Sequence, residues 1–241
     1  MSINNEDSFL SLQQQLAEAP IPEALNILYD IYPGRLTFST SFGLEDQVIT
    51  DIISKSVPVS IFTLDTGRLF PETYTTWSGT LERYNLLIKA YYPEEDQLQA
   101  FISEEGPNSF YQSVDLRKRC CFIRKVVPLK KALKGHAVWI TGLRAEHSPN
   151  RNEMQVIEWD DANEIIKYNP LLHWNTEEVR NYINKHHVPY NSLHDRGFVS
   201  IGCAPCTRAI REGEDFRAGR WWWEDQSKKE CGLHVHQSIT K

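Results

Sequence analysis

The stretch Arg35-Leu36-Thr37-Phe38-Ser39-Thr40-Ser41-Phe42-Gly43-Leu44-Glu45-Asp46 decides the fold. Its first four residues predict a short buried strand, and the apolar spacing from Leu44 to Ser54 predicts a helix directly after the polar turn. A second predicted strand, residues 59–63, runs into Leu64-Asp65-Thr66-Gly67, and Pro71-Glu72 suits the first turn of another helix. This alternation predicts an α/β fold, with a mainly parallel, twisted sheet and helices on both faces.

The rest of the chain extends the pattern in both directions. Further strands are predicted over 86–91 and 137–141, and further helices over 96–104, 122–133 and, capped by Asn175, 176–185. After Gly142 the pattern loosens, and no repeat or low-complexity linker is present. We therefore expect three parts: N-terminal helices in residues 1–34, an α/β domain in 35–211, and a mobile C-terminal arm in 212–241.

Composition restricts the class of protein. The 241 residues are 41% hydrophobic and 24% charged, which is typical of a globular domain. The formal net charge of −6 argues against a broad nucleic-acid surface. The N-terminus is polar and acidic, unlike a secretory signal, and no apolar run reaches the length of a membrane span. These features predict a cytoplasmic protein that binds neither nucleic acid nor membrane.

The turn between the first strand and its helix has the character of a phosphate loop. Ser39, Ser41 and Gly43 expose backbone N–H groups at a helix N-terminus, where partial positive charge favours an anion. Asp46 is the last residue of this polar segment. The turn lacks the lysine of a Walker loop, and a serine-rich turn without a ligand is the alternative interpretation.

Four of the five cysteines form two pairs, Cys120-Cys121 and Cys203-Ala204-Pro205-Cys206. Four thiolates can hold either zinc or a 4Fe-4S cluster, and adjacent cysteines suit a multi-iron cluster better than a single ion. Basic residues near both pairs would stabilise an anionic cluster: Arg117, Lys118, Arg119, Arg124, Lys125, Arg208 and Arg211. From spacing alone, cluster, zinc, redox dithiol and buried free thiols all remain open.

The fifth cysteine, Cys231, stands alone near the chain end between Lys228-Lys229 and His234. Neighbouring cations favour the thiolate, which is the nucleophilic form, although an incidental exposed cysteine is the alternative. Just before it, Arg217 and Arg220 could bind a dianionic group through bidentate contacts. The run Trp221-Trp222-Trp223 is expected to anchor the start of the arm by packing.

Taken together, these motifs and several others resemble the adenylyl-sulfate reductase branch of the sulfonucleotide reductases, over roughly residues 36–234. The motifs that carry the resemblance are Ser39 to Asp46, Leu64-Asp65-Thr66-Gly67-Arg68, Cys120-Cys121 with Lys125, Thr141-Gly142-Leu143-Arg144 with Arg151, Asn169-Pro170-Leu171, Ser200 to Cys206, and Glu230-Cys231-Gly232-Leu233-His234. The resemblance implies a modified pyrophosphatase-type (PP) loop in an adenine-nucleotide α-hydrolase-like fold. It also implies one 4Fe-4S cluster per chain on Cys120, Cys121, Cys203 and Cys206.

The resemblance further implies the reaction. The Cys231 thiolate would attack the sulfur of adenylyl sulfate and expel AMP, and thioredoxin or a glutaredoxin-like reductant would release sulfite from the S-sulfocysteine. It gives catalytic roles to Cys231, His234, Arg217, Arg220 and Lys125. It gives substrate-binding roles to Ser39, Ser41, Gly43, Asp46, Asp65, Thr66, Gly67, Arg144 and Arg151.

Several alternatives stay open at this point. Clustered members of the family favour adenylyl sulfate, but some also accept the 3′-phosphorylated form. An ATP pyrophosphatase of the same fold and a zinc-binding module without chemistry are the rival functions. Homo-oligomer formation and the identity of the reductant are left open as well.

Overall fold

The computed structural model describes residues 6–147 and 153–225, and the contacts within the chain divide it into two compact units. The first unit comprises Met1–Phe62, Glu72–Lys89 and Gly135–Asn191, and the second comprises Thr63–Pro71, Ala90–Lys134 and Ser192–Lys241. The three-part division expected from the sequence stays a prediction.

The described residues form eight α-helices and six strands. The helices are α1 (Glu6–Glu18), α2 (Ile21–Ile31), α3 (Leu44–Ile53), α4 (Pro71–Tyr84), α5 (Glu95–Glu105), α6 (Val114–Cys121), α7 (Val127–Leu133) and α8 (Thr176–His186). The strands are β1 (Leu36–Ser39), β2 (Ser60–Leu64), β3 (Ile88–Tyr91), β4 (Val138–Ile140), β5 (Ile157–Asp160) and β6 (Ile165–Tyr168). No helix in the described ranges is both long enough and apolar enough to cross a membrane.

The strands form one sheet in the order β3-β2-β1-β4-β6-β5. β1 is parallel to β2 and to β4, and β4 is parallel to β6, whereas the edge strand β5 is antiparallel to β6. Helices flank the sheet, so the predicted α/β class with a mainly parallel sheet is confirmed. The last residues of β2 and β3 are counted with the second unit.

Alternate residues of the central strands build the core of the first unit. Phe38 of β1, Ile140 of β4 and Tyr168 of β6 are each at most 1% exposed, and they pack with apolar residues of α1, α2, α3 and α8. Burial on this scale is the main stabilising contribution to such a sheet. Asn175 caps α8 as predicted, since its side chain accepts a hydrogen bond from the Glu178 backbone N–H at 2.9 Å.

Sequence patterns missed the hairpin of β5 and β6. The sequence of β6, Ile165-Ile166-Lys167-Tyr168, carries a lysine at its centre, which is uncommon in a buried strand. Lys167 is nevertheless buried because its ammonium pairs with Glu158 of β5 at 3.0 Å. The Glu158 carboxylate compensates the charge of Lys167, and this charge is the reason why the sequence of β6 does not indicate a buried strand.

The second unit contains a helical run longer than the one predicted over 122–133. It begins with α6, continues through a π-helical turn at Phe122–Val126, and ends with α7. Ser113 caps α6 by accepting a hydrogen bond from the Leu116 N–H at 3.1 Å. Cys120-Cys121 therefore form the end of α6, a helix that the sequence pattern did not predict, and the expected helical segment follows them. The basic residues of α6 left too few apolar positions to show a helical period.

Candidate functional site

The turn after β1 is held by its own side chains in the first unit. Gly43 is the N-cap of α3, and Phe42 adopts a positive φ of 60°, which is rare outside glycine. One carboxylate oxygen of Asp46 accepts hydrogen bonds from the Ser41 N–H at 2.6 Å and from the Ser41 hydroxyl at 2.7 Å. Asp46 therefore stabilises the conformation of the turn through its hydrogen bonds with Ser41.

The electrostatics of Asp46 follow from its burial. Desolvation raises the pKa of Asp46 to about 6, with the Glu45 charge adding to the rise and the hydrogen bonds from Ser41 opposing it. The loop after β4 lies against this carboxyl group, because a Cβ built on Gly142 would overlap its second oxygen. A glycine is thus required at residue 142 for close packing and not for a special backbone angle.

Arg144, predicted to bind substrate, is 2% exposed and lies in a network of protein acceptors. Its guanidinium donates to Glu45 at 2.8 Å, to Glu146, to the Trp174 carbonyl at 3.1 Å and to the Thr176 hydroxyl at 3.1 Å. At least four of its five N–H groups are therefore used within the first unit. This geometry suits a residue that positions the loop after β4 better than one that binds a ligand directly.

Glu45 is the acidic centre of that network. Burial would raise the pKa of Glu45, but hydrogen bonding and charge from His147, 3.2 Å away, together with the Arg144 charge, hold it at about 2. The carboxylate is therefore ionised at neutral pH. Sequence patterns gave no role to Glu45, since an acidic residue in the first turn of a helix is common.

In the second unit, the segment after β2 turns sharply. The Asp65 carboxylate accepts a hydrogen bond from the Gly67 N–H at 2.8 Å, and Gly67 has a φ of +69°. The carbonyl of Thr66 accepts from Arg124 at 2.6 Å, and the Thr66 hydroxyl lies 3.2 Å from the sulfur of Cys203. Among Asp65, Thr66 and Gly67, predicted to bind substrate, Thr66 thus contacts a cysteine of the same unit.

The four paired cysteines come together. Cys120 and Cys121 end α6, and Cys203 and Cys206 flank a 3₁₀ turn at Ala204–Cys206. All four line a single cavity with an empty volume of about 300 Å³, a figure that includes open solvent. The Ala204 N–H donates to the Arg68 carbonyl at 2.8 Å, which fixes the second pair against the turn after β2.

Cations surround the cysteine cavity. Arg68, Arg117, Arg124 and Lys125 line it with the thiols. Burial raises the pKa of Cys206 to about 12, with Cys203 and Cys121 adding to the rise, whereas Lys125 and Arg220 lower it. Burial also raises the pKa of Cys120, and the Arg124 charge opposes that rise. Cys206 and Cys120 therefore need a strong positive partner to ionise, and a bound metal centre would supply one.

Not every basic residue that sequence patterns assigned to the cysteines lies beside them. Arg119 pairs instead with Glu104 at 2.8 Å and Glu105 at 2.9 Å, and Arg208 pairs with Glu214 at 2.7 Å. Arg68 lines the cavity although it is far from both pairs in sequence. Among the described residues, no group of three or more His, Cys, Asp or Glu side chains is arranged to hold a single metal ion.

Trp221 organises the basic residues that precede the chain end. The ring is 1% exposed, and the guanidinium carbons of Arg117, Arg220 and Arg217 lie 4.6, 4.8 and 5.7 Å from its centroid. Arg220 also packs so closely on Gly202 that a Cβ there would overlap its guanidinium. The aromatic run packs as expected at this residue, and it brings two predicted catalytic arginines to one ring.

No local sequence pattern indicates the ion pair between Arg117 and Glu224. The two side chains are 1% and 4% exposed and make hydrogen bonds of 2.9 and 2.7 Å. Their separation of 107 residues hides the pairing from any local pattern. The predicted site residues Cys231, His234 and Arg151 lie outside the described residues.

Comparison with known proteins places these features in context. A sequence model of the phosphoadenosine phosphosulfate reductase domain matches residues 35–209. The adenosine 5′-phosphosulfate reductase of Agrobacterium fabrum is 46% identical over 97% of this chain and 90% of its own. That of Allochromatium vinosum is 52% identical over 83% of this chain and 78% of its own.

Solved structures extend the comparison to the fold. The phosphoadenylyl-sulfate reductase of Candida auris, in complex with phosphate, has a TM-score of 0.73 and 32% identity over 86% of this chain and 98% of its own. The FMN adenylyltransferase of Candida glabrata has a TM-score of 0.54 at 17% identity, over 98% of this chain and 79% of its own. The second likeness concerns the fold alone.

Proposed function

Because this chain belongs to the phosphoadenosine phosphosulfate reductase family, we propose that it is an oxidoreductase that converts adenosine 5′-phosphosulfate to sulfite and AMP. The observation that carries the proposal is the meeting of Cys120, Cys121, Cys203 and Cys206 at one cavity lined by cations. The relatives that are 46% and 52% identical are named adenosine 5′-phosphosulfate reductases, which supports the unphosphorylated substrate.

The residues at the cavity fit a 4Fe-4S cluster. Four thiolates are the usual ligands of such a cluster, and Arg68, Arg117, Arg124 and Lys125 are placed to balance its negative charge. The Thr66 hydroxyl, 3.2 Å from the sulfur of Cys203, is placed to tune a thiolate ligand. When bound, the cluster would supply a fixed, polarisable anionic centre beside Lys125.

The proposed chemistry uses the thiol of Cys231. The thiolate attacks the sulfur atom of adenylyl sulfate, an S–S bond forms, and the bond from that sulfur to the bridging oxygen breaks, so that AMP leaves with the electron pair. A dithiol protein, thioredoxin or a glutaredoxin-like reductant, then attacks the Cys231 sulfur. A mixed disulfide forms as the bond from Cys231 to the sulfo group breaks and sulfite leaves with the electron pair. The second thiol of the reductant then breaks the mixed disulfide, which returns the Cys231 thiolate and leaves the reductant as a disulfide, so the two-electron reduction balances.

The basic residues would neutralise charge during this transfer. We assign that role to Lys125, Arg217 and Arg220, together with Arg151 and His234. Ser39, Ser41, Gly43 and Asp46 would form the phosphate loop, with Asp65, Thr66 and Gly67 at the next strand end. Arg144 would act on the site through the network that it organises. A cytoplasmic location is also proposed, since free thiols and dithiol reductants coexist in a reducing compartment.

A second substrate is favoured by one comparison. The Candida auris structure is described as a phosphoadenylyl-sulfate reductase and is 32% identical to this chain. Reduction of the 3′-phosphorylated nucleotide, as well or instead, is therefore the alternative.

One anaerobic experiment tests the proposal. The purified protein is assayed for sulfite release from each of the two sulfonucleotides with a thioredoxin system, and iron and sulfide are measured on the same sample. We expect turnover of adenylyl sulfate and four irons per chain. Turnover of ATP alone, or a colourless zinc protein, would refute the proposal.

Two cysteine variants serve as controls for each other. Cys231→Ser should abolish sulfite release and keep its iron, whereas Cys203→Ser should lose both. Full activity in Cys231→Ser removes the proposed nucleophile. Unchanged iron in Cys203→Ser removes the proposed ligand.

A further inference from the structure

Ser39, the last residue of β1, has one side-chain partner in the first unit. The indole N–H of Trp139 donates to the Ser39 hydroxyl oxygen at 2.8 Å. Ser39 is partly exposed, and its hydroxyl makes no other hydrogen bond within the part of the chain that the structure describes. Its own proton is therefore left without a protein acceptor.

The register of the sheet explains why the two side chains meet. β1 and β4 are parallel neighbours in which Thr37 is opposite Trp139. Ser39 follows Thr37 by two residues, so all three side chains lie on one face of the sheet. A long indole on β4 can then reach the end of β1, where ligands collect in open α/β sheets.

The Trp139 ring has little freedom to move. It is 1% exposed, and the Lys167 ammonium lies 5.9 Å from its centroid on the same sheet face, held there by Glu158. Trp139 is opposite Lys167, and Lys167 is opposite Glu158, in the registers of the next two strand pairs. Side chains on one face of the sheet thus contact one another in a row that contains Glu158, Lys167, Trp139 and Ser39.

The chemistry of the two groups fixes which of them donates in the hydrogen bond between Trp139 and Ser39. An indole N–H is only a donor, so the Ser39 oxygen must accept from it and cannot turn its proton towards Trp139. We propose that Trp139 is a positioning residue that holds the Ser39 hydroxyl as a preset donor to an anionic oxygen of the nucleotide's phosphosulfate group. This inference rests on the proposed function. It identifies how the Ser39 side of the proposed substrate site favours an anionic group.

Trp139→Phe removes the N–H donor and keeps an aromatic ring. We expect KM for adenylyl sulfate to rise about three- to tenfold with kcat changed less than about twofold, since the hydrogen bond from the Ser39 hydroxyl is weakened equally in the bound substrate and in the transition state. Iron content should not change, because neither Ser39 nor Trp139 lines the cysteine cavity. Trp159→Phe, at a ring 51% exposed on β5, is the matched control.

A double-mutant cycle shows whether Trp139 acts by positioning the Ser39 hydroxyl or only by packing in the core. Ser39→Ala alone should raise KM at least as much as Trp139→Phe, and adding Trp139→Phe to Ser39→Ala should change KM less than about twofold. An equal effect of Trp139→Phe in both backgrounds, or an unchanged KM in either single variant, overturns the inference. If Trp139→Phe does not fold, the KM of Ser39→Ala alone decides, with Ser39→Thr, which keeps a hydroxyl, as its control. A wild-type protein that does not turn over adenylyl sulfate would instead refute the proposed function.

Discussion

Replacing Glu224 with Gln tests the buried ion pair that joins α6 to the residues after Trp221. The substitution keeps the shape of the side chain and removes its charge, which leaves the Arg117 guanidinium, 1% exposed, without its carboxylate. Removing one partner of a buried pair costs about 3–5 kcal/mol, because the remaining charge stays desolvated. At roughly 2–4 °C per kcal/mol for a chain of this size, Tm should fall by about 6–20 °C.

The measurement is thermal unfolding followed by circular dichroism at neutral pH and low oxygen. Glu94→Gln is the control, because Glu94 pairs with Lys131 at 2.9 Å where both side chains are largely exposed, and it should leave Tm unchanged. Arg117→Met added to Glu224→Gln should recover part of the loss, since no unpaired charge then remains. A Glu224→Gln variant as stable as the control would show that the buried pair does not hold these segments together.

Three further predictions follow from individual contacts. The pKa of Asp46, raised to about 6 from its usual 3.8, means that the folded state binds this proton more tightly, so stability is lost as pH rises through that range. Relative to Asp46→Asn, the wild type should lose about 2 kcal/mol of unfolding free energy between pH 4 and pH 6 in urea titrations; parallel pH profiles would contradict this. Gly142→Ala should cost about 1–3 kcal/mol in the same assay because of the clash with Asp46. Gly79→Ala, in an open position of α4, should not destabilise, and equal losses would refute the packing argument. Arg217→Ala should weaken adenylyl-sulfate binding by about 1–3 kcal/mol, measured as KM, and an unaltered KM would place this side chain outside the site.

Local patterns sufficed for the first half of the sheet. β1, α3, β2 and the start of α4 were predicted within one or two residues, because these segments are bounded by glycine, proline or small polar residues. β6 was missed because the burial of Lys167 depends on Glu158, a partner on the neighbouring strand. Strand propensity, which is read from the local sequence, does not account for a charge that is paired only in the folded state.

The candidate site was foreseen in part, for a similar reason. Cysteine spacing indicated a metal site but not that all four thiols share one cavity with Arg68. Arg144 was predicted to bind substrate from its motif, whereas its contacts with Glu45, Glu146 and the start of α8 depend on the fold. Residue identity predicts which chemistry is available, and tertiary contacts determine which donors remain for a ligand.

The π-helical turn at Phe122–Val126 makes the spacing between α6 and α7 hard to change. An α-helix advances about 100° per residue, and a wider turn accommodates about one residue more than an α-helical turn does. Deleting a single residue there would restore a regular helix and rotate Lys125 by about a quarter of a circle relative to Cys120 and Cys121. Protein engineers should therefore find this short segment tolerant of conservative substitutions but intolerant of any change in its length.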